Sequence, residues 1–267
     1  MERIGNPILK PNKIVALILY LFMTYIGSSI ILILITKIYA SSHDNVLFEE
    51  LLNLLISKDL DEDLKNTTSA LRIAYGKVNA IGNMMGYLIM LLTTGFYMRN
   101  YLIEDTLEWK TKYKYLLWFI PVAALVFYGI SFGFDLIISN LVDGSSQNQN
   151  TIVLMIQNGG AFYMFIAVVI CAPIVEELIY RKAIFSFLEK KHIVWSYVVS
   201  TIFFTLPHMI TTTNVSAGDW FLLAIPYTVS AVMLAAVYHL SKKNIYATWF
   251  AHLLNNLISF IIIVVAI

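Results

Sequence analysis

The chain contains 267 residues, of which 59% are hydrophobic and 13% are charged. Soluble domains carry about 25% charged residues, so this composition excludes a water-soluble globular protein. The 18 basic and 17 acidic residues leave a net charge of +1, which excludes the strongly basic surface of a nucleic-acid-binding protein. We therefore expect a membrane protein without a nucleic-acid partner.

Apolar runs of about 20 residues are long enough to cross the roughly 30 Å hydrocarbon core of a lipid bilayer as helices. The sequence contains seven such runs, at residues 14–36, 78–98, 116–138, 159–188, 193–211, 220–240 and 245–267. We therefore predict an all-α, polytopic membrane protein with about seven transmembrane helices.

Lysine and arginine collect beside alternate ends of these runs, and this bias predicts orientation. If successive runs cross the membrane in alternating directions, four groups of basic residues fall on the same side of it. They are Arg3, Lys10 and Lys13; Arg99, Lys110, Lys112 and Lys114; Lys190 and Lys191; and Lys242 and Lys243. Residues 142–150 and 211–219, on the other side, contain no lysine or arginine. We predict a cytoplasmic N-terminus, although Arg72 and Lys77 on the outer side depart from the pattern.

Residues 41–77 form a polar stretch between the first two runs. Leucines recur in it at helical spacing, at Leu47, Leu51, Leu54 and Leu55, and acidic residues supply the polar side, at Glu49, Glu50, Asp59, Asp61, Glu62 and Asp63. The pattern predicts an amphipathic helix along the outer interface, with a solvated acidic face favoured over a metal or cofactor site. This segment and the first three runs make up an N-terminal region, 1–158, and the other runs make up a C-terminal core, 159–267.

Glu176, Glu177 and Arg181 lie close together within the fourth run. An ionisable side chain in mid-membrane costs about 2.5 to 3.5 kcal/mol, so each is a candidate functional residue. Glu177 and Arg181 are four residues apart and share a helix face, where they can pair. Glu176 points about 100° away from that face. The pattern predicts that Glu177 is neutralised and that Glu176 is left free for chemistry.

Two histidines and an asparagine lie at a similar depth in later runs. His208 follows Phe204 by about one helical turn, and His252 and Asn256 have the same spacing. Counted from the nearest turns, these polar residues and Glu176 lie roughly 14 to 24 Å along their helices. We therefore expect them to share one layer inside the membrane.

A carboxylate near two imidazoles and an amide can activate water and stabilise an oxyanion. This set favours hydrolysis of an acyl bond with Glu176 as the general base. No serine or cysteine stands beside a base in an evident nucleophile arrangement, so a covalent mechanism is less favoured. A purely structural network of buried charges is the alternative, and the histidines at matching depth weigh against it.

The motifs EExxxR, FxxxH and HxxxN are typical of the CPBP family of CAAX proteases and bacteriocin-processing enzymes, also called the Abi family of intramembrane proteases. Three stretches of this sequence resemble them, in order, within residues 159–260. They are Glu176 to Arg181, Phe204 to His208 and His252 to Asn256. Each motif alone is common, whereas the ordered set is specific.

The resemblance implies an all-helical membrane peptidase whose active site opens toward the cytoplasmic side. Glu176 would activate the attacking water and His208 would assist it. His252 and Asn256 would stabilise the oxyanion. The supporting residues would be Glu177, Arg181 and Phe204.

Members of the family are widely labelled metalloproteases. Glu176, His208 and His252 would suit a three-ligand zinc site with water in the fourth position. A glutamate-dependent mechanism without metal needs the same residues. The sequence leaves both mechanisms open, so zinc stays an alternative.

The resemblance implies a membrane-associated peptide or protein substrate. Short loops and a compact chain favour a multi-pass protein of a bacterial plasma membrane. A non-catalytic bacteriocin-immunity or scaffold protein, which binds a peptide in the same cavity, is the alternative function. A proton-coupled transporter is a third reading, but Asp135 is almost the only residue available for the outer half of a polar path.

Overall fold

The protein is described from a computed structural model that covers residues 12–43, 46–57, 60–142, 144–213 and 215–266. Two of the predicted border charges, Arg3 and Lys10, lie outside the described residues, as does Asp59 of the predicted acidic face. The side chains of Asp61 and Glu62 lie outside them as well.

The described residues form helices joined by short connections, without a strand. The helices are α1 Lys13–Ser41, α2 Phe48–Leu55, α3 Leu60–Lys65, α4 Ser69–Ser139, α5 Gln147–Leu188, α6 Ile193–Met209, α7 Ala217–Leu240 and α8 Ile245–Ala266. By length and composition α1, α4, α5, α7 and α8 can cross a membrane, and α6 is a shorter apolar helix. The protein is an all-α polytopic membrane protein, which confirms the predicted fold class.

The second and third predicted runs belong to one helix, α4, which continues through residues 99–115, where the sequence predicts a break. These residues contain no glycine or proline. Glu108 and Lys112 also pair at 2.9 Å one turn apart, as expected on a solvated helix. The loss of hydropathy at this point therefore marks the end of an apolar segment and not the end of a helix.

Helix α4 bends back on itself. Tyr87 and Ser131 would lie about 66 Å apart in a straight helix. However, Tyr87 contacts Glu176. Ser131 contacts Ser230, and the carbonyl of the next residue, Ala231, accepts a hydrogen bond from Arg181. Glu176 and Arg181 are only five positions apart on α5. The two arms of α4 therefore lie near the same part of α5, the first by direct contact and the second through α7. They correspond to the second and third predicted runs.

The polar stretch 41–77 contains two short helices, α2 and α3, where the sequence predicts one long amphipathic helix. Leu51 and Leu54 are buried as the pattern predicts, and they pack with Leu71 and Tyr75 at the start of α4. Leu47 is 61% exposed. The apolar face of α2 thus covers the end of a neighbouring helix.

Glycines allow the closest helix contacts. An added Cβ at Gly76 would lie 2.4 Å from the Asn158 Cβ, and one at Gly160 would lie 2.5 Å from the Ala80 Cβ. The kink of α5 falls here, because Gly159 has a φ of 83°. Gly82, a small residue on the second predicted run, lies against Leu32 of α1.

Basic residues of separate helices meet at one end of the bundle. Lys13 Nζ donates to Ser186 Oγ at 2.5 Å, and Lys243 Nζ pairs with Glu189 Oε2 at 2.9 Å. We call this the basic end. The described residues of the chain connections 140–146 and 210–216 meet at the other end, where the backbone N–H of Gln147 donates to Thr212 Oγ1.

Candidate active site

The two glutamates lie on a short α-helical segment of α5, Ala172–Glu177, between two π-helical stretches. The flanking stretches are Phe165–Cys171 and Leu178–Phe185. Wider π-turns shift the positions of side chains around a helix and are frequent at functional sites. Both glutamates are buried, with Glu176 4% exposed and Glu177 fully buried.

Each carboxylate oxygen of Glu177 lies beside a nitrogen of a basic side chain. Its Oε2 lies 3.2 Å from Arg181 Nε, and its Oε1 lies 3.0 Å from His252 Nδ1. The guanidinium of Arg181 also donates to Ser200 Oγ at 2.8 Å and to the carbonyl of Ala231 at 3.3 Å. The structure therefore places Glu177 and Arg181 together and extends the pair to α6, α7 and α8.

Glu176 faces a different set of neighbours. The hydroxyl of Tyr87 donates to Glu176 Oε1 at 3.2 Å. His252 Nε2 lies 3.9 Å from Glu176 Oε2. The sequence predicts a carboxylate left free by its neighbours, whereas the structure places it between a tyrosine of α4 and a histidine of α8.

His208 lies in an aromatic and amide environment. Its ring stacks on Tyr227, with centroids 4.8 Å apart and planes 6° apart, and lies 5.1 Å from the Phe204 ring. Its Nδ1 lies 3.5 Å from the amide nitrogen of Asn148. The centroid of the His252 ring lies 5.9 Å from that of the Phe204 ring. Phe204 thus lies close to both histidine rings.

Asn256 lies one turn beyond His252 on α8. Its amide nitrogen donates to the carbonyl of Val168 at 2.8 Å. This carbonyl belongs to a π-helical stretch of α5, where backbone hydrogen bonds are rearranged. One N–H of the Asn256 amide is therefore engaged, and the second is available to another acceptor.

A cavity of about 1510 Å³ joins these residues. Its wall includes five of the predicted site residues: Glu176, Phe204, His208, His252 and Asn256. Glu177 and Arg181 do not line it and lie behind the wall. The structure thus separates residues that can touch a bound molecule from residues that hold them in place.

The three predicted zinc ligands do not form a cluster. Glu176 and His252 approach each other, but the contacts of His208 are with Asn148, Tyr227 and Phe204. Among the residues that the structure describes, no three His, Cys, Asp or Glu side chains are grouped to hold a metal ion. The arrangement does not fit a three-ligand zinc site, and we derive no step through a metal.

Tyr87, Tyr227 and Asn148 lie outside the predicted motifs. Tyr87 carries a usable signal, because Asn79, Asn83 and Tyr87 recur every four residues in an apolar run and form a polar stripe. Tyr227 and Asn148 carry none, because a lone tyrosine in an apolar helix and an asparagine in a polar loop are both common.

Comparison with known proteins supports a family relationship. Residues 158–258 match a family described as "Type II CAAX prenyl endopeptidase Rce1-like". The resemblance to CAAX proteases, predicted from three motifs, is confirmed over this range.

An uncharacterized protein of Mycoplasma capricolum subsp. capricolum is 29% identical over 127 residues, which are 45% of this chain and 35% of that protein. The matched region thus spans about a third of the relative. No solved structure matches the chain.

Proposed function

We propose, from the match of residues 158–258 to the CAAX protease family, that the chain is an intramembrane endopeptidase. It hydrolyses a peptide bond of a membrane-associated protein or peptide in a bacterial plasma membrane. One observation carries the proposal: a buried carboxylate, Glu176, lies on the wall of a large cavity beside His252 and a tyrosine hydroxyl.

In the proposed reaction Glu176 is the general base. It takes a proton from water, and the water oxygen bonds to the carbonyl carbon of the substrate. The carbonyl oxygen becomes an oxyanion, which needs hydrogen-bond donors. When the oxyanion collapses, the carbon–nitrogen bond breaks and Glu176 returns the proton to the leaving amine. A carboxylic acid and an amine are the products.

The positions of the other polar residues are consistent with this scheme. His252, held through Nδ1 by Glu177, faces Glu176 through Nε2. Asn256 and His208 line the cavity, and in the proposed reaction they supply hydrogen-bond donors to the oxyanion. This arrangement modifies the roles expected from the resemblance, because His252 and not His208 is the imidazole beside Glu176.

Two variants of the purified protein in detergent test the proposal. The substrate probe is a library of internally quenched peptides that carry a palmitoyl chain. Glu176→Gln and His208→Ala should abolish cleavage, because they remove the base and a cavity donor. Glu108→Gln, a carboxylate at a solvated position on α4, should cleave at the unaltered rate. Full turnover in both site variants would overturn the assignment.

The alternative is an immunity or scaffold protein that binds a peptide in the same cavity without cleaving it. It predicts that Glu176→Gln, which keeps the shape of the side chain, still protects cells from a bacteriocin. Loss of protection together with loss of cleavage would favour the peptidase.

A further inference from the structure

Among the residues that the structure describes, those that line the cavity extend to one end of the bundle. Ser145 and Gln149, beside the connection 140–146, line it, and so do Thr211 and Thr213 of the connection 210–216. These residues lie at the end opposite the basic end. The cavity wall therefore runs from Glu176 to these two connections, which carry no lysine or arginine, and to α2 and α3, where Lys65 lines it.

A buried layer closes the cavity toward the basic end. All eight residues of the π-helical stretch Leu178–Phe185 are buried, and none of them lines the cavity. Below them Lys182 Nζ pairs with Asp105 Oδ1 at 2.7 Å, and Asp105 Oδ2 accepts the N–H of Ile245 at 2.7 Å. This layer leaves Glu176 as part of the cavity floor.

The basic end assigns a side of the membrane to each face. Lysine and arginine beside short connections favour the cytoplasm, and contacts of Lys13 and Lys243 bring several of these groups together in the folded chain. The face where the cavity opens is therefore the outer face. The resemblance alone implies the opposite opening, toward the cytoplasm.

We infer that the cavity is loaded from the outer side, so that the substrate is an exported peptide segment anchored at the outer leaflet. The inference rests on the proposed function and specifies its substrate class. A prenylated C-terminus at the cytoplasmic surface would meet the closed layer around Lys182. An extended exported strand could place its scissile bond against Glu176 and its apolar side chains against Phe132 and Phe260, which line the cavity.

Cysteine labelling in intact cells tests the side of access without a known substrate. The single cysteine, Cys171, is buried and can be replaced by alanine. In that background a membrane-impermeant maleimide should label Ser145→Cys, and a charged methanethiosulfonate should modify Ser230→Cys inside the cavity. Lys190→Cys, at the basic end, should react only after permeabilisation. Labelling of Lys190→Cys from outside, or modification of Ser230→Cys only from inside, would overturn the inference.

Membrane vesicles of known orientation test the side of access by substrate cleavage. The probe is the palmitoylated, internally quenched peptide library with a sulfonated dye that cannot cross the bilayer. Right-side-out vesicles should cleave it, and inverted vesicles should cleave it only after detergent is added. Cleavage by sealed inverted vesicles would overturn outer-side loading. Failure to cleave in detergent would contradict the proposed peptidase instead, and the labelling pattern would still decide the side of access.

Discussion

The hydroxyl of Tyr87 donates a hydrogen bond to Glu176 Oε1 across 3.2 Å. Tyr87 belongs to α4 and lies outside residues 158–258, the range that matches the protease family. The first arm of α4 therefore supplies a neighbour to the proposed base, and the candidate site is complete only when both parts of the chain are packed together.

Tyr87→Phe should lower kcat/KM by about tenfold to a hundredfold. A hydrogen bond to a charged group contributes about 1.5 to 3 kcal/mol, and about 1.4 kcal/mol corresponds to a factor of ten in rate. The effect should fall on kcat if the hydroxyl positions Glu176. Tyr25→Phe, at a ring that is 46% exposed on α1, is the matched control, and an unaltered rate in both variants would contradict the positioning role.

Arg181→Leu should destabilise the fold, because Glu177 would remain as a buried charge without its cation. Removing one partner of a buried pair costs about 3 to 5 kcal/mol. Thermal unfolding in detergent measures the loss of stability. The stability of Arg181→Lys should lie between that of the unaltered protein and that of Arg181→Leu. The double variant Glu177→Gln/Arg181→Leu should recover part of the stability. Unaltered stability of Arg181→Leu with lost cleavage would argue for a direct role in the reaction.

Asp105→Asn should also destabilise the protein, because Asp105 holds Lys182 and the first residue of α8 at once. The expected loss is about 3 to 5 kcal/mol, as for other buried pairs. Glu108→Gln breaks a pair on the same helix whose carboxylate is 48% exposed, and exposed pairs contribute about 1 kcal/mol or less. Equal unfolding temperatures for the two variants would show that the contacts of Asp105 stabilise the fold no more than the exposed pair does.

Gly76→Ala should disturb the contact between α4 and α5. The added Cβ would lie 2.5 Å from the backbone oxygen of Asn158, so one helix must shift. Gly133→Ala is the control, because nothing lies within 4 Å of its added Cβ and alanine favours a helix by about 1 kcal/mol. Unfolding in detergent should move in opposite directions for the two variants, and a neutral Gly76→Ala would show that this crossing can relax.

Metal chelation should leave peptide cleavage unchanged. His208 turns toward Asn148 and Tyr227 and does not join Glu176 and His252 in a ligand cluster. The measurement compares initial rates before and after dialysis against a strong chelator, with metal content determined in parallel. Loss of cleavage that returns on adding zinc would show that the three side chains regroup around a metal.

The amino-acid sequence is sufficient to infer the membrane environment, the helical character of the chain and which residues share a face within one helix. Apolar runs predict membrane helices because backbone polar groups must be satisfied internally in lipid. The spacing of four residues predicts that Glu177 and Arg181 meet, because helical geometry places them on one face. The continuous helix through residues 99–115 was missed, because hydropathy reports the end of an apolar surface and carries no direct information about the backbone.

Contacts between residues of different helices depend on how the helices pack in three dimensions. Helix rotation and crossing place Tyr87 and His252 beside Glu176 and put His208 against Tyr227, and no spacing along the chain encodes these neighbours. The bend of α4 and the close contact at Gly76 set those crossings. The end at which the cavity opens follows from the same packing, because it depends on where the buried layer below Glu176 closes.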